Sequence, residues 1–460
     1  MAHDLVTELL QYSSLACFMP IWQLCANLLI PNCLRSNLSY SPLAALELYV
    51  ILSETNFFAV IPQELYMKVF DEDFCSLNKD IMKFLLDNKL VLEEKDKYTY
   101  FKEQKLRFGA SSFDKTRLEL VIVPTTACNF SCPYCFEEKK TNVTMSDAII
   151  DSLLEFVKSH KNIEIIDLTW YGGEPLLAFK QICKIYSKLK AEIPVAIGRH
   201  SLITNGYLIN DEVLSFFNNT HLTDIQITLD GNKNHHNSLR FLKSKKETFD
   251  VILDNIKKCS QTLSNVDINV RVNINKENKN DYVEIRELLK QQMHLSNVSV
   301  YPGFIREETS NGHSFCFNSI DRKSACDFYE ENVKKGCPPL KTSVVHKGCM
   351  INKLNSYIIG PEGEIYKCWN DVSNTAKVIG NIQEECLENS TLFARYMTDL
   401  SPFSNPECQD CMVFPICSGE CGWYRYKNLY EKGKFDTCSS FKNIKFLEDC
   451  LVESYKNKRV

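Results

Sequence analysis

The chain lacks an excess of basic residues. Its 460 residues include 53 lysines and arginines and 58 aspartates and glutamates, so the formal net charge is −5. Proteins that bind nucleic acids usually carry a strongly basic domain or face. We therefore expect no nucleic-acid partner.

A long, uninterrupted apolar run is also missing. Residues 16–34 are apolar overall, but polar or helix-breaking residues interrupt them at Pro20, Gln23, Asn27, Pro31 and Asn32. No lysine or arginine precedes this stretch, whereas a secretory signal begins with basic residues. A membrane-spanning helix needs about 20 predominantly apolar residues. We predict no membrane segment, and we interpret the stretch as a buried or interfacial helix.

Cysteine, by contrast, is abundant. Many of the 21 cysteines stand in short-spaced groups, in a chain far longer than the small secreted domains that depend on disulfides. Spacings such as Cys-x-x-Cys suit metal binding better than a disulfide framework. We therefore expect a metal-binding protein in the reducing environment of the cytoplasm.

Residues 1–112 predict a small N-terminal domain. Apolar residues recur at helical spacing in three segments, which are residues 43–54, 63–70 and 77–90. Residues 91–101 then read as a β-hairpin or wing, and the polar residues 102–117 read as a linker. Three helices and a wing indicate a winged-helix-like domain.

Residues 118–312 follow a different pattern, in which six apolar strands alternate with amphipathic helices. This alternation predicts an α/β fold whose parallel strands are joined by right-handed crossovers, as in a partial (β/α)6 TIM-type barrel. Functional residues of such a barrel lie at the carboxyl ends of its strands. Residues 313–460 lose this rhythm and become rich in Cys, Gly and Pro. They predict an irregular domain that needs metal to fold.

The first cysteine group directly follows the first barrel strand. The segment CNFSCPYCF contains Cys128, Cys132 and Cys135. Soft thiolate ligands favour iron–sulfur clusters or zinc. Three thiolates can hold three irons of a [4Fe–4S] cluster and leave the fourth iron open. A structural zinc site is the alternative, but zinc needs a fourth protein ligand, and none is close in sequence.

Further motifs stand at the ends of the next strands. Tyr171-Gly172-Gly173-Glu174-Pro175 ends the second strand, Asn205 the third, and Thr228 and Asp230 the fourth. Arg240 follows twelve residues after Thr228. Glycines let backbone approach a ligand closely, and a carboxylate can pair with an ammonium group. We expect these residues to gather around one ligand.

Together these motifs resemble the radical SAM superfamily. The resemblance implies that the open iron binds S-adenosylmethionine (SAM), whose reductive cleavage yields a 5′-deoxyadenosyl radical. It also implies an external one-electron reductant of the flavodoxin or ferredoxin type. Tyr134 and Phe136 would lie against the cofactor and cluster, Thr228 at the ribose and Arg240 at the SAM carboxylate. The remaining expected cofactor-binding residues are Gly172, Gly173 and Glu174 at the SAM amino group, with Asn205 and Asp230.

The second cysteine group resembles the SPASM pattern of radical SAM maturases. It reads Cys349-x13-Gly363-x4-Cys368, then Cys408-x2-Cys411-x5-Cys417-x3-Cys421, then Cys438. The resemblance implies two auxiliary [4Fe–4S] clusters, hence three clusters in all. It assigns Cys349, Cys368 and Cys421 to the first, and Cys408, Cys411, Cys417 and Cys438 to the second.

An eighth auxiliary ligand is missing from this pattern. We predict Cys337, with Cys326 as second choice; alternatively that iron stays open for the substrate. A zinc ribbon is the alternative interpretation of the whole group, because Cys-x-x-Cys pairs often hold zinc.

The SPASM resemblance also implies a peptide or protein substrate. The winged-helix-like domain resembles the element with which peptide-modifying enzymes bind a leader strand by β-augmentation. DNA binding by the same shape is disfavoured, because residues 41–100 contain eleven acidic residues, six lysines and no arginine. A purely structural domain is the other alternative. We predict an enzyme that installs a cross-link, a thioether or an epimer in a ribosomally made precursor peptide.

Two alternative functions remain at this stage. Anaerobic sulfatase-maturating enzymes share the architecture, but they carry an Asp base directly after the second SPASM cysteine. Here Cys368 is followed by Trp369 and Asn370, and Asp371 comes two positions late. A non-catalytic peptide-binding or electron-transfer iron–sulfur protein is the second alternative. Asp371, Tyr301 and Arg306 are expected near the barrel mouth, without an assigned role.

Overall fold

The structure is a computed structural model. It describes residues 17–18, 24–28, 48–52, 58–71, 73–93, 98–135, 142–306, 322–337, 348–384, 388–411, 413–417, 419, 421–438 and 440–450. Among these residues, no helix is both long enough and apolar enough to cross a membrane.

The N-terminal region combines short antiparallel strands with helices. Its strands are β1 (Cys17–Phe18), β2 (Leu24–Leu28), β3 (Leu48–Leu52), β4 (Phe58–Pro62) and β5 (Leu92–Glu93). Its helices are α1 (Gln63–Phe70), α2 (Lys79–Asp87) and α3 (Thr99–Ser112). Strands β2, β3 and β4 form one antiparallel sheet in that order, and β1 pairs with β5.

Two helix predictions in this region are wrong. Residues 48–52 form β3, although the spacing of residues 43–54 predicted a helix. The predicted helix in residues 16–34 is replaced, where the structure describes it, by β1 and β2. Short apolar runs do not distinguish helix from strand by periodicity, and Tyr, Val and Ile in β3 favour a strand with partners on both sides.

The predicted linker is also wrong over most of its length, because α3 occupies it. Phe101 and Phe108 lie seven residues apart, hence on one face of the helix. Their rings pack against Phe403 and Phe414, with centroids 5.0–5.3 Å apart. The helix is thus fixed to the cysteine-rich C-terminal region by its few aromatic residues.

The barrel region contains the predicted six parallel strands, counted within the part of the chain that the structure describes. They are β6 (Arg117–Ile122), β7 (Ile165–Trp170), β8 (Ala196–Thr204), β9 (Asp224–Leu229), β10 (Asp267–Ile274) and β11 (Val298–Phe304). The helices are α4 (Asp147–Ser159), α5 (Phe179–Glu192), α6 (Asp211–Asn219), α7 (Lys233–Leu239), α8 (Phe249–Thr262) and α9 (Asp281–Glu287). Neighbours in the chain are neighbours in the sheet, and all five pairs are parallel. The α/β partial-barrel prediction is confirmed.

The C-terminal region extends the same sheet. Its elements are α10 (Arg322–Lys334), β12 (Ser356–Ile359), β13 (Glu364–Tyr366), β14 (Gly380–Asn381), α11 (Ser390–Thr398), α12 (Pro406–Gln409) and α13 (Gly422–Tyr430). Strand β12 pairs in parallel with β6, and β13 and β14 follow it in antiparallel order. The barrel and the cysteine-rich region therefore share one sheet, which has nine strands among the described residues.

A buried polar contact ties β7 to β8 in the core of the barrel. Trp170 Nε1 donates to His200 Nε2 at 2.8 Å, and His200 Nδ1 lies 3.1 Å from the carbonyl oxygen of Thr220. The imidazole is also stacked on Tyr186. Burial lowers the pKa of His200 to about 4, so the ring is neutral in the folded protein at neutral pH.

We expect His200 to make the stability of the fold depend on acid. Between about pH 6.5 and pH 4, His200 is protonated in the unfolded chain but stays neutral in the folded protein. The stability that the neutral His200 contributes is therefore complete above about pH 6.5 and is lost as the pH falls through 4. The loss reaches up to about 3 kcal/mol. H200Q keeps an acceptor for Trp170 without titrating, so its thermal midpoint should fall less than the wild-type midpoint between pH 6.5 and 4.5. Parallel midpoints for the two proteins would contradict this.

Candidate active site

Three cysteine thiols line one cavity of about 590 Å³ at the carboxyl ends of the barrel strands. Cys128, Cys132 and Cys135 lie on the loop after β6. This loop is fixed to the segment after α7, because Ser131 N donates to Phe241 O and Phe130 pairs with Leu242 as an isolated bridge. The predicted grouping of these thiols in one cavity thus agrees with their placement in the structure.

At least one of these thiols is protonated in the absence of metal. Burial raises the pKa of Cys132 to about 12, with a smaller opposing effect of Arg240, so without a bound cation this thiol is neutral. Metal binding would have to displace its proton. Among the described residues, no three Cys, His, Asp or Glu side chains converge as a single metal ion requires.

Two consecutive glycines bring the end of β7 against the start of the cysteine loop. A Cβ on Gly172 would lie 2.4 Å from the carbonyl oxygen of Thr125, and one on Gly173 would lie 2.4 Å from that of Ala127. Gly172 also has φ of +144°, which a side chain rarely tolerates. Both glycines line the cavity. The backbone here is therefore open to a ligand, as the motif predicted.

Glu174 bonds to the end of the next strand, and its contact with the SAM amino group stays a prediction. Its buried carboxylate accepts hydrogen bonds from Thr204 Oγ1 at 2.7 Å, Asn205 N at 2.8 Å and Leu176 N at 3.1 Å. It is not among the residues that line the cavity. Burial raises its pKa, against the effect of these three donors. Glu174 thus connects the ends of β7 and β8 from behind the glycines.

A buried polar cluster joins the cysteine loop to strands β9 and β10. Tyr134 OH donates to Asp230 Oδ2 and accepts from Arg240 Nη1 at 3.0 Å and Asn273 Nδ2 at 3.3 Å. Burial raises the pKa of Tyr134 well above 10, so it stays a phenol. Asp230 Oδ1 and Arg240 Nε are buried and have no hydrogen-bond partner within the described part of the chain. Arg240 lines the cavity and Asp230 does not, so a polar ligand in the cavity would meet this cluster at Arg240.

The remaining predicted cofactor residues divide into two groups. Asn205 and Thr228 line the cavity, and Asn205 Nδ2 donates to Asn129 Oδ1 at 2.7 Å. Phe136 lies outside the described residues. The predicted residues that line the cavity come from the ends of strands β6 to β9 and surround one space.

The cavity also contains residues that sequence reasoning missed. Trp369, Asn370 and Tyr424 reach it from the C-terminal region, and the rings of Trp369 and Tyr171 pack edge to face at 4.8 Å. The sequence contained a signal for these residues. Trp369 and Asn370 directly follow Cys368, and Tyr424 stands three residues after Cys421. Gln226, Arg271 and Asn273 line the cavity from β9 and β10. Their alternation along two strands could have identified them.

The first auxiliary cysteines lie together. Burial raises the pKa of Cys368 well above its usual value, and the neighbouring thiols of Cys349 and Cys421 raise it further. Cys337 instead lies beside Arg286 of α9, and Cys326 Sγ lies 3.5 Å from the carbonyl oxygen of Ser440. The eighth auxiliary ligand stays a prediction.

The cysteines assigned to the second auxiliary cluster share some of their neighbours. Cys408 and Cys411 pack against the phenylalanine cluster that holds α3. Lys442 Nζ lies 3.4 Å from Cys438 Sγ, and Cys411 also acts on this lysine. Cys408 and Cys411 of the second auxiliary set therefore lie next to helix α3 of the N-terminal region.

The three residues expected near the mouth have distinct positions. Arg306 lines the cavity. Tyr301 OH donates to Gln226 Oε1 at 2.5 Å. Asp371 is buried outside the cavity lining, where Tyr396 OH donates to it at 2.8 Å, and burial raises its pKa to about 6. Asp371 therefore does not face the space in which a base would act.

Comparison with known proteins agrees with this geometry. Residues 122–289 match the family model described as the radical SAM superfamily. The chain is 24% identical to the cysteine-type anaerobic sulfatase-maturating enzyme of Clostridium novyi, over 71% of this chain and 94% of that protein. It is 25% identical to the sporulation killing factor maturation protein SkfB of Bacillus subtilis, over 40% of this chain and 42% of that protein.

A solved structure has the same fold. Native anSMEcpe with bound AdoMet superposes with a TM-score of 0.56 at 20% identity, and the match covers 74% of this chain and all of that one.

A partial barrel of parallel strands, with three thiols and a glycine pair around one cavity at its carboxyl end, is the arrangement expected of a radical SAM enzyme. Residues 122–289 match the radical SAM superfamily. This superfamily implies SAM and a [4Fe–4S] cluster as cofactors. The resemblance predicted from the motifs is confirmed.

We expect the triple variant C128A/C132A/C135A to lose the SAM-cleaving activity, because no other thiol lines this cavity among the described residues. Anaerobically reconstituted protein should form no 5′-deoxyadenosine, and its iron content should fall relative to wild type. C183A, which changes a half-buried thiol on α5, is the matched control and should retain both. Persistent 5′-deoxyadenosine in the triple variant would contradict the assignment.

We expect E174Q to weaken SAM binding, because Glu174 holds Gly172 and Gly173 in position. The glutamine NH₂ group cannot accept a hydrogen bond from the donors that surround Glu174. At least one of the three buried hydrogen bonds is therefore lost, which lowers the free energy of unfolding by about 1–3 kcal/mol. Equilibrium titration with SAM and the thermal midpoint should both show the loss. Unchanged SAM affinity with a lowered midpoint would mean that Glu174 serves only the fold.

Proposed function

We propose that this enzyme uses SAM to modify a ribosomally made precursor peptide. The observation that carries the proposal is a cavity lined by the three cysteine thiols, the glycine pair and Arg240, and also by Trp369, Asn370 and Tyr424 of the cysteine-rich region. The cysteine-rich region thus forms a wall of the reaction space. A substrate would enter between the barrel and this wall.

The bound cofactors supply reductive cleavage of SAM and a 5′-deoxyadenosyl radical that abstracts hydrogen. The protein's own groups hold and orient them. Cys128, Cys132 and Cys135 would bind three irons, and the backbone of Gly172 and Gly173 would accept the SAM amino group. Arg240 carries a buried positive charge suited to the SAM carboxylate, and Thr228, which lines the same cavity, would contact the ribose. Trp369 and Tyr424 would exclude water.

We further propose two auxiliary [4Fe–4S] clusters, which makes three in all. The first would use Cys349, Cys368 and Cys421, whose thiols act on one another. The second would use Cys408, Cys411, Cys417 and Cys438. All sixteen cysteines whose side chains are described are free thiols, which suits cytoplasmic conditions and a flavodoxin or ferredoxin as reductant.

The N-terminal region is proposed to bind the leader of the precursor. Among the described residues, β2 and β4 are the edges of its antiparallel sheet, and an edge can accept an extended peptide by β-augmentation. Helix α3 leads from this region to the second cysteine group through Phe101 and Phe108. The acidic surplus of residues 41–100 favours a leader over DNA.

The relatives support a peptide or protein substrate. SkfB is named as a maturation protein of the sporulation killing factor, and anSMEcpe has been solved with a bound Cp18Cys peptide. The similarity to the Clostridium novyi enzyme favours sulfatase maturation as a second candidate. Against it, Trp369 occupies the position of the expected base, and Asp371 is bonded to Tyr396 away from the cavity.

The test uses anaerobically reconstituted full-length protein with SAM and a chemical reductant. Short peptides encoded next to the gene serve as substrates, each with and without its leader half. We expect 5′-deoxyadenosine with a mass change on the full-length peptide, and a rate lower by tenfold or more without the leader.

A sulfatase-type peptide with a Cys core is the matched control. Its conversion to formylglycine, with no change in the precursor peptides, would replace the proposal by sulfatase maturation. Iron–sulfur clusters without any SAM cleavage would leave an electron-transfer or peptide-binding protein.

A further inference from the structure

One buried histidine lies next to the candidate site without lining its cavity. His236 belongs to α7 and is fully buried, and its ring packs edge to face against Phe249 with the centroids 5.5 Å apart. Burial lowers the pKa of His236 well below its usual value, and the positive charge of Arg240 acts in the same direction, so the ring is neutral. A neutral imidazole has one donor nitrogen and one acceptor nitrogen. Each of its two nitrogens therefore needs a different kind of partner.

Both ring nitrogens of His236 have such partners, and the hydrogen bonds have a fixed direction. Asp230 N lies 3.2 Å from Nδ1 and can only donate, so Nδ1 is the acceptor and Nε2 carries the proton. Nε2 then donates to Thr248 Oγ1 at 3.0 Å. Thr248 Oγ1 in turn donates to the carbonyl oxygen of Arg240 at 2.6 Å. Three directed hydrogen bonds thus connect the backbone of Asp230 to the backbone of Arg240.

These hydrogen bonds fix the ends of the segment that contains α7. Asp230 directly follows β9, and Arg240 directly follows α7. Arg240 N also donates to the carbonyl oxygen of His236 at 2.7 Å, so both backbone groups of Arg240 are bonded. Thr248, at the start of α8, is itself held because its N donates to Asn237 Oδ1 at 3.1 Å. The side chain of Arg240 therefore begins at a fixed point.

The guanidinium group of Arg240 depends on this fixed point. Its Nη1 donates to Tyr134 OH at 3.0 Å, and its central carbon lies 5.4 Å from the ring centroid of Phe130. Arg240 lines the cavity, and its buried Nε has no hydrogen-bond partner within the part of the chain that the structure describes. A guanidinium group is planar and rigid, so a shift of the backbone changes the direction of all its donors.

We propose that His236 and Thr248 are positioning residues that direct Arg240 toward the carboxylate of SAM. Both are buried and neither lines the cavity, so they act on the cofactor only through Arg240. Loss of either side chain releases the carbonyl group of Arg240 and lets its guanidinium group move. This inference rests on the proposed contact of Arg240 with SAM, and it does not depend on the identity of the peptide substrate.

The test compares the SAM affinity of variants of the anaerobically reconstituted full-length protein, titrated without reductant so that SAM is not cleaved. T248V keeps the shape of the side chain but lacks the hydroxyl group. We expect it to bind SAM about tenfold more weakly, the effect of a lost buried hydrogen bond. T248S retains the hydroxyl group and should bind SAM as the wild type does. H236N keeps an acceptor for Asp230 N but loses the bond to Thr248, so it should weaken SAM binding as T248V does.

A double variant separates positioning from general damage to the fold. R240Q should weaken SAM binding, and adding T248V to R240Q should cause no further loss, because Thr248 acts through Arg240 alone. A defect of the fold would instead lower the affinity by the same factor in both backgrounds. T220V is the matched control, because it removes a hydroxyl group that donates to the carbonyl oxygen of Phe216 at the end of α6. It should retain the wild-type affinity.

Three results would overturn the inference. They are wild-type SAM affinity in both T248V and H236N, an equal loss when T248V is added to the wild type and to R240Q, or a loss of affinity in T248S as large as that in T248V. Unchanged affinity in R240Q would refute the contact of Arg240 with SAM, and the inference with it. Failure of the peptide-maturase proposal is separate, because it would appear as absent peptide modification while SAM binding still follows the expected pattern.

Discussion

The site depends on the close contact between the end of β7 and the start of the cysteine loop. Gly172 and Gly173 approach the carbonyl groups of Thr125, Thr126 and Ala127 so closely that a Cβ at either position would overlap them. Behind the glycines, Glu174 accepts hydrogen bonds from the end of β8 and fixes their position. The thiols of the loop can face the strand ends only while this contact is made.

The second constraint is electrostatic. Tyr134, Asp230 and Arg240 are buried together, and their hydrogen bonds connect the cysteine loop to the fourth and fifth barrel strands. A buried charge is costly unless paired, so this cluster is stable only with the loop in place. The same groups that position the thiols thus provide a polar wall for a charged cofactor.

The cysteine-rich region contributes to the site because it is part of the same sheet. Strand β12 pairs with β6, and β13, which is antiparallel to β12, leads directly to Cys368, Trp369 and Asn370. Helix α3 packs on the other side of that region through its phenylalanines. One continuous structure therefore connects the N-terminal region, the auxiliary cysteines and the cavity.

Much of this could be predicted from the sequence, because the signals are local. Six strand–helix repeats, three thiols at fixed spacing and the Gly-Gly pair each follow from short segments, and the model of the fold confirms their order. The sequence did not predict strand β3 or helix α3, because the structure of these segments depends on contacts with residues far away in the chain. The packing of Phe101 against Phe403 is one such contact. What the sequence alone determined is the resemblance to the radical SAM superfamily and the order of the strands, thiols and glycines that carry it. Only the tertiary structure decided that Glu174 faces the protein, that Asp371 turns away from the cavity, and that Arg271 and Arg306 share it. Those outcomes depend on contacts between residues far apart in the chain, which no local pattern contains.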